Sequence, residues 1–189
     1  MGIHLAMDDF GAGDSNFLRL VVHPFQIVKF DRGLWAPLTD HPLSTLKLLG
    51  SLIEIGNDLG WKIIIEGIET FEMAEAVFQL GAEFGQGYYF AKPMPIDQVL
   101  SWKEQFTYTL TRGIVQTQLG AIAYLIRRLR QNRKSMLSEE QCPITHFFQE
   151  KGWEDTEGMA IHHQIHQEAY DPTLYKRLLE WLENTIIHP

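Results

Sequence analysis

The chain has 189 residues, an apolar share of 45% and a formal charge of −8, the profile of one ordinary globular domain or two small ones. No apolar run approaches the roughly 20 residues of a bilayer crossing, and the N-terminus lacks a basic segment followed by an apolar core, so a soluble, cytoplasmic protein without a membrane segment is expected. The single cysteine, Cys142, excludes an internal disulfide.

The acidity is uneven. Residues 1–105 carry 7 Lys and Arg against 14 Asp and Glu, whereas residues 106–189 carry 9 against 10. This argues against DNA as a partner, because affinity for a polyanion comes mainly from cations meeting phosphates. The basic run Arg127, Arg128, Arg130, Arg133, Lys134 reads as a solvated helix face, with an acidic partner as the alternative.

In chain order, residues 3–9 read as a strand, 14–21 as a short helix and 25–30 as a second strand. Pro42 opens a long helix whose Leu43, Leu46, Leu49 and Ile53 recur near helical spacing, with Gly60 at its end. A third strand spans 61–66 and is nearly all apolar, as a buried parallel strand should be. Thr70 caps a helix over 71–80 that Gly81 stops; a strand near 84–90 and a helix over 96–105 follow. From residue 106 the pattern is helical only: 114–133, 138–150, 156–170 and 172–187, suggesting a small four-helix bundle. Two domains are expected, 1–105 and 106–189.

The strands end in polar residues. Asp8 and Asp9 close the first and precede a glycine-rich turn, Gly11-Ala12-Gly13, where the backbone can bend enough for both acids to share a divalent cation. Lys29-Phe30-Asp31-Arg32 follows the second strand, Glu66-Gly67-Ile68-Glu69-Thr70 the third, and Gln86-Gly87-Tyr88-Tyr89-Phe90 with Pro93 lies at the fourth. Parallel βα units with polar groups at strand C-terminal ends are the layout of a (β/α)8 TIM-type barrel and its active site. Only four units are present, so either the chain is the remnant of a longer domain or the complementary half-barrel arrives from another polypeptide, with a second copy of the chain as one candidate partner.

In this order the four motifs resemble the second half of an EAL-type cyclic di-GMP phosphodiesterase domain. The resemblance covers roughly residues 1–105 and implies two Mg2+ or Mn2+ ions, with cyclic di-GMP opened to the linear dinucleotide. It places Asp8 as the aspartate shared by the metals and Asp9 as a ligand of the second. Glu66 reaches metal-bound water, and Lys29 orients or helps deprotonate the attacking water, unless it is simply an outward-facing lysine. Glu69 steadies the loop after the aspartates, Gln86 bonds near water or substrate, and Pro93 lines the edge of the guanine pocket. Glu69 and Gln86 read equally well as structural, and Asp31 with Arg32 as a structural pair.

Departures from the family pattern bear on catalysis. The glutamate of the E-x-L signature, an asparagine and a second glutamate of the first metal's shell have no counterpart here, so the chain alone is expected to be inactive. Asp14 stands where an aromatic residue is common and Ala12 where threonine is frequent, which puts the loop's role in dimer-linked control in doubt. The tail adds Cys142, His146, His162, His163 and His166. His162 and His166, four apart on one helical face, can share an ion with the thiolate, so Cys142, His162 and His166 are candidate Zn2+ ligands. The pattern faintly resembles the chemoreceptor zinc-binding domain but lacks its first-helix histidine; surface histidines beside a buried cysteine are the plain alternative. Three functions follow as expectations: a phosphodiesterase contingent on its missing half, an EAL module that binds nucleotide or a protein partner without hydrolysis, or a metal-sensing bundle carrying a vestigial half-barrel.

Overall fold

The computed structural model describes residues 3–13, 17–107, 109–132 and 137–187. Expectations for Met1, Asp14, Arg133 and Lys134 lie outside the described residues. The apolar runs form one parallel sheet in the order β1-β2-β3-β4, with β1 at Leu5–Phe10, β2 at Phe25–Phe30, β3 at Lys62–Ile65 and β4 at Phe84–Gly85. The chain returns between strands through helices α1 (Phe17–Val22), α2 (Pro42–Asp58) and α3 (Phe71–Leu80), and α4 (Val99–Gln105) follows β4. Local chemistry sets the ends. Pro42 occupies the first turn of α2, where its missing N–H costs no bond, and Thr70 Oγ1 accepts the Met73 N–H at 3.3 Å at the start of α3. Gly81 then ends α3 in the left-handed region, φ 103°.

Three expectations are corrected. The fourth strand is only Phe84–Gly85 rather than 84–90, because beyond it Phe90 N–H and Ala91 N–H both donate to the Gly87 carbonyl and close a turn. Residues 31–38, which carry no sequence assignment, form a 3-10 helix at Arg32–Leu38; Asp31 caps it by accepting the Gly33 N–H at 2.7 Å. Asp31 thus has a local capping role, and no Asp31–Arg32 ion pair is present among the described residues. The first tail helix, α5, runs Gln118–Arg130 instead of starting at 114, since Thr117 Oγ1 accepts the Gly120 N–H at 2.9 Å and fixes the start.

The remaining tail helices are α6 (Pro143–Lys151), α7 (Glu157–Gln167) and α8 (Pro172–Ile187). The tail packs on the outer helices of the sheet rather than apart from them. α5 lies across α2 and α3, α8 lies on α5 and α2, and one apolar core runs from Phe10 and Val28 through Leu46, Ile122 and Phe148 to Leu182. Fully buried side chains such as Leu46, Ile126 and Leu178 contribute roughly 1.5–3 kcal/mol each.

Polar groups pin the seam. Glu75, 0% exposed, accepts from Gln116 N–H at 2.7 Å, Thr117 N–H at 2.8 Å and the Thr117 hydroxyl at 2.5 Å. Arg130 donates to the Lys47 carbonyl and the Ser51 hydroxyl, both at 2.7 Å. At the other edge of the sheet the cover is thin: on α1, Leu18, Val21 and Val22 are 67%, 73% and 72% exposed. No described helix is long and apolar enough to cross a membrane.

Candidate metal centre at the strand ends

Consecutive residues on a regular strand face opposite sides of a sheet, so Asp8 and Asp9 can converge only if the strand breaks. It does: the β1–β2 register slips between Met7 and Phe10, and Asp9 adopts φ 53°. Aspartate tolerates this left-handed conformation better than most residues. On the neighbouring strands, Lys29 pairs with Ile64, and Glu66 lies two residues beyond Ile64 on the same face. One carboxylate oxygen each from Asp8, Asp9 and Glu66 therefore fall within 4.8 Å of one another.

Lys29 sits among these acids. Its Nζ donates to Asp8 Oδ1 at 2.8 Å and also pairs with the Glu66 carboxylate. The hydrogen bond from Lys29 holds the Asp8 carboxyl below its usual range, while bonds to Asp8 and then Glu66 push the Lys29 pKa up to about 12. In this arrangement Lys29 is a cation held between two carboxylates. The Glu66 backbone is held from below: Trp35, in the 3-10 helix, donates its Nε1–H to the Glu66 carbonyl at 2.9 Å. Trp35 has no motif signal in the sequence.

Beside the carboxylates lies a cleft of about 310 Å3, lined by Asp9, Arg32, Glu66, Glu69, Gln86 and Tyr88 among others. Its floor is tied by main-chain bonds: Gln86 N–H donates to the Ile65 carbonyl at 2.8 Å, and Ile68 N–H to the Gln86 carbonyl at 3.1 Å. Gly87 is required there, because a Cβ would overlap the Ile68 backbone. Pro93 is exposed and is not among the residues lining this cleft. Arg32, expected as half of a structural pair, and Tyr88, which the motif alone does not single out, both line it.

The three acids offer hard oxygen donors, exposed at Asp8 and Asp9 and half-buried at Glu66. Mg2+ and Mn2+ select such donors, and Mg2+ keeps much of its water when few carboxylates contribute, so these residues fit a divalent ion of that class.

The tail groups its own candidates differently from the full constellation of five. Cys142 Sγ lies 3.3 Å from His162 Nε2, and His166 joins them, one ligand atom from each within 4.8 Å. His163 is drawn away into a pair with Glu139, and His146 is exposed.

A parallel βα half-barrel with acids and a lysine at its strand ends defines a class, and comparison with known proteins agrees. Residues 1–93 match the EAL domain family model. Among relatives, the chain is 38% identical over 102 residues to the cyclic di-GMP phosphodiesterase RocR of Pseudomonas aeruginosa, covering 54% of this chain and 26% of RocR. It is 35% identical over 103 residues to the oxygen sensor protein DosP of Escherichia coli, covering 54% and 13%. Among solved structures, the EAL enzyme Bd1971 in its cGMP-bound form superposes with TM-score 0.50 at 33% identity, covering 55% of this chain and 27% of that one. The chain thus spans about a quarter or less of the length of these relatives. The fold is a partial TIM-type barrel of four βα units followed by helices.

Proposed function

We propose that this chain contributes the second half of a metal-dependent site that hydrolyses a phosphodiester of cyclic di-GMP to the linear dinucleotide. The observation that supports it is the convergence of Asp8, Asp9 and Glu66 from two separate βα units onto one spot beside a cleft. Asp8 and Asp9 are the residues that would hold Mg2+ or Mn2+, with Glu66 bonding a coordinated water. Bound cations would supply a more acidic water and neutralise charge on the phosphate oxygens. Lys29, held protonated, orients the carboxylates and offers a cation to the approaching phosphate. Glu69 and Gln86 line the cleft where the nucleotide would lie, and Arg32 adds a phosphate-pairing guanidinium.

In this reading residues 1–105 are the partial EAL domain, and 106–189 a helical domain docked on its outer helices. Hydrolysis depends on the remaining first-metal ligands, the E-x-L glutamate among them, which a complementary half-barrel would supply. A different reading, binding without hydrolysis, is favoured by one feature: Lys29 already neutralises Asp8 and Glu66 internally.

The test is incubation of the purified chain with cyclic di-GMP and Mn2+, followed by chromatography for the linear dinucleotide. The expected result is no turnover alone, and turnover when a polypeptide carrying the four preceding βα units and the E-x-L glutamate is supplied. D8N should then lower the rate by at least about a hundredfold. Rapid turnover by the chain alone would overturn the dependence on a second half. Cyclic di-GMP binding with no product from the reconstituted barrel would favour the non-hydrolytic reading.

A further inference from the structure

Between β2 and α2 lies the 3-10 helix Arg32–Leu38, and it touches both loops that carry the acids. Leu34 packs against the turn after Asp8 and Asp9 so closely that a Cβ on Gly11 would lie 2.9 Å from its side chain. A Cβ on Gly67, directly after Glu66, would overlap Arg32. Both glycines have left-handed backbone, φ 102° and 70°, which makes this close approach possible. Trp35, 7% exposed, holds the Glu66 carbonyl through its Nε1–H at 2.9 Å. A shift of this short helix would therefore move the loops of Asp9 and Glu66 together.

At its far end the 3-10 helix is tied to α2. The His41 N–H donates to the Pro37 carbonyl at 2.8 Å, and α2 begins at the next residue. A helix leaves its first N–H groups without partners, and His41 supplies no side-chain cap. Pro42 has no N–H to satisfy, so the first donor of α2 is Leu43. Its N–H donates to Glu183 Oε1 at 3.1 Å, a residue of α8 that lies 140 positions further along the chain. A carboxylate there also faces the positive end of the helix dipole. The α8 backbone beside Glu183 is anchored in turn, since Gln118 Nε2 donates to the Leu182 carbonyl at 3.1 Å and to the Thr185 hydroxyl.

We infer that Glu183 and Trp35 are positioning residues for the strand-end site: the helical tail caps α2, α2 fixes the 3-10 helix, and the 3-10 helix sets the loops of Glu66 and Asp9. The inference rests on those acids holding the metal, as proposed above. Neither residue is among those lining the cleft, so each acts through backbone that it holds. Coupling of this kind runs through contiguous contacts, and paired substitutions read it directly.

The experiment compares full-length wild type, E183A, E183Q and W35F by hydrogen exchange with mass spectrometry and by Mn2+ calorimetry. E183A should speed exchange about five- to tenfold, the equivalent of one hydrogen bond, in residues 32–46 and 66–69, while α6 and α7 keep wild-type rates. Mn2+ affinity should fall by about the same factor. E183Q keeps an acceptor oxygen and should restore both. W35F should weaken Mn2+ as well, and adding E183A to W35F should cost little more, because both act through one segment. Unchanged exchange in E183A, or unchanged affinity where wild type binds Mn2+, would overturn the positioning role. Exchange quickened evenly through α6 and α7 would overturn it too, by marking a general loss of stability. If wild type binds no Mn2+ yet exchange responds as expected, the metal site falls and the positioning of its loops stands.

Discussion

The strand-end acids and the tail's thiol and imidazoles are both groups of three ligand atoms within 4.8 Å, but they meet opposite physical problems. Asp8 and Asp9 sit in water, where charge costs little, and the chain balances the acids with Lys29. Cys142 and His162 sit in the core, where charge is expensive, and both are held neutral without an ion. The lesson is that proximity alone does not define a site. Exposed carboxylates suit hard ions exchanged from water, whereas a thiol and an imidazole kept neutral by burial pack as part of the core.

The largest expected effect separates the two regions. Glu75 joins α3 to the segment leading into α5 through three hydrogen bonds, so E75A would strand buried donors. A loss of about 3 kcal/mol is expected, read as a lower urea midpoint. If one core truly spans both regions, a single transition should persist by tryptophan fluorescence and circular dichroism; two separated transitions would show that the seam is weak.

A smaller effect tests the strand-end cluster by itself. G87A pushes a methyl into the Ile68 backbone and parts the loops bearing Glu66, Glu69 and Gln86. Overpacking of this kind costs about 1–3 kcal/mol. Mn2+ affinity should fall about tenfold, measured by calorimetry, with the helical circular dichroism unchanged. A loss of helical signal as well would mean that the change spreads beyond the strand-end cluster.

The smallest effect is the ion pair. Asp8 is held below its ordinary 3.8, so its contribution is present above that value and fades as pH falls through the depressed pKa. Lys29 is raised from 10.5 to about 12, so its contribution is present below 10.5 and is lost as pH rises through 12. Between those limits K29Q should cost about 0.5 kcal/mol, because solvent screens the Asp8 carboxylate, which is 64% exposed. The difference from wild type should shrink as pH falls well below 3.8. An unchanged difference at low pH would assign the effect to packing rather than charge.

Much of this was legible in order and spacing. The strand, turn and helix series through α3 follows from apolar period and caps at Pro42, Thr70 and Gly81, which are local effects carried by neighbouring residues. Asp8, Asp9 and Glu66 were legible as candidates because strand ends collect polar residues in parallel βα folds. Their meeting was not, since it depends on the left-handed backbone at Asp9 and a slip of register against β2. Nor was the truncation of β4, which ends where Phe90 N–H and Ala91 N–H close a turn on the Gly87 carbonyl.

In the tail, sequence placed His162 and His166 on one helical face, a consequence of the 3.6-residue repeat. Only tertiary packing decided that Cys142 would meet them while His163 turned to Glu139 and His146 to solvent. It also decided that α5 would bury its apolar face against α2 and α3, with Glu75 as the anchor. Helical periodicity and capping act over a few residues and are written in the chain, whereas burial and the cost of charge depend on which distant surfaces come together.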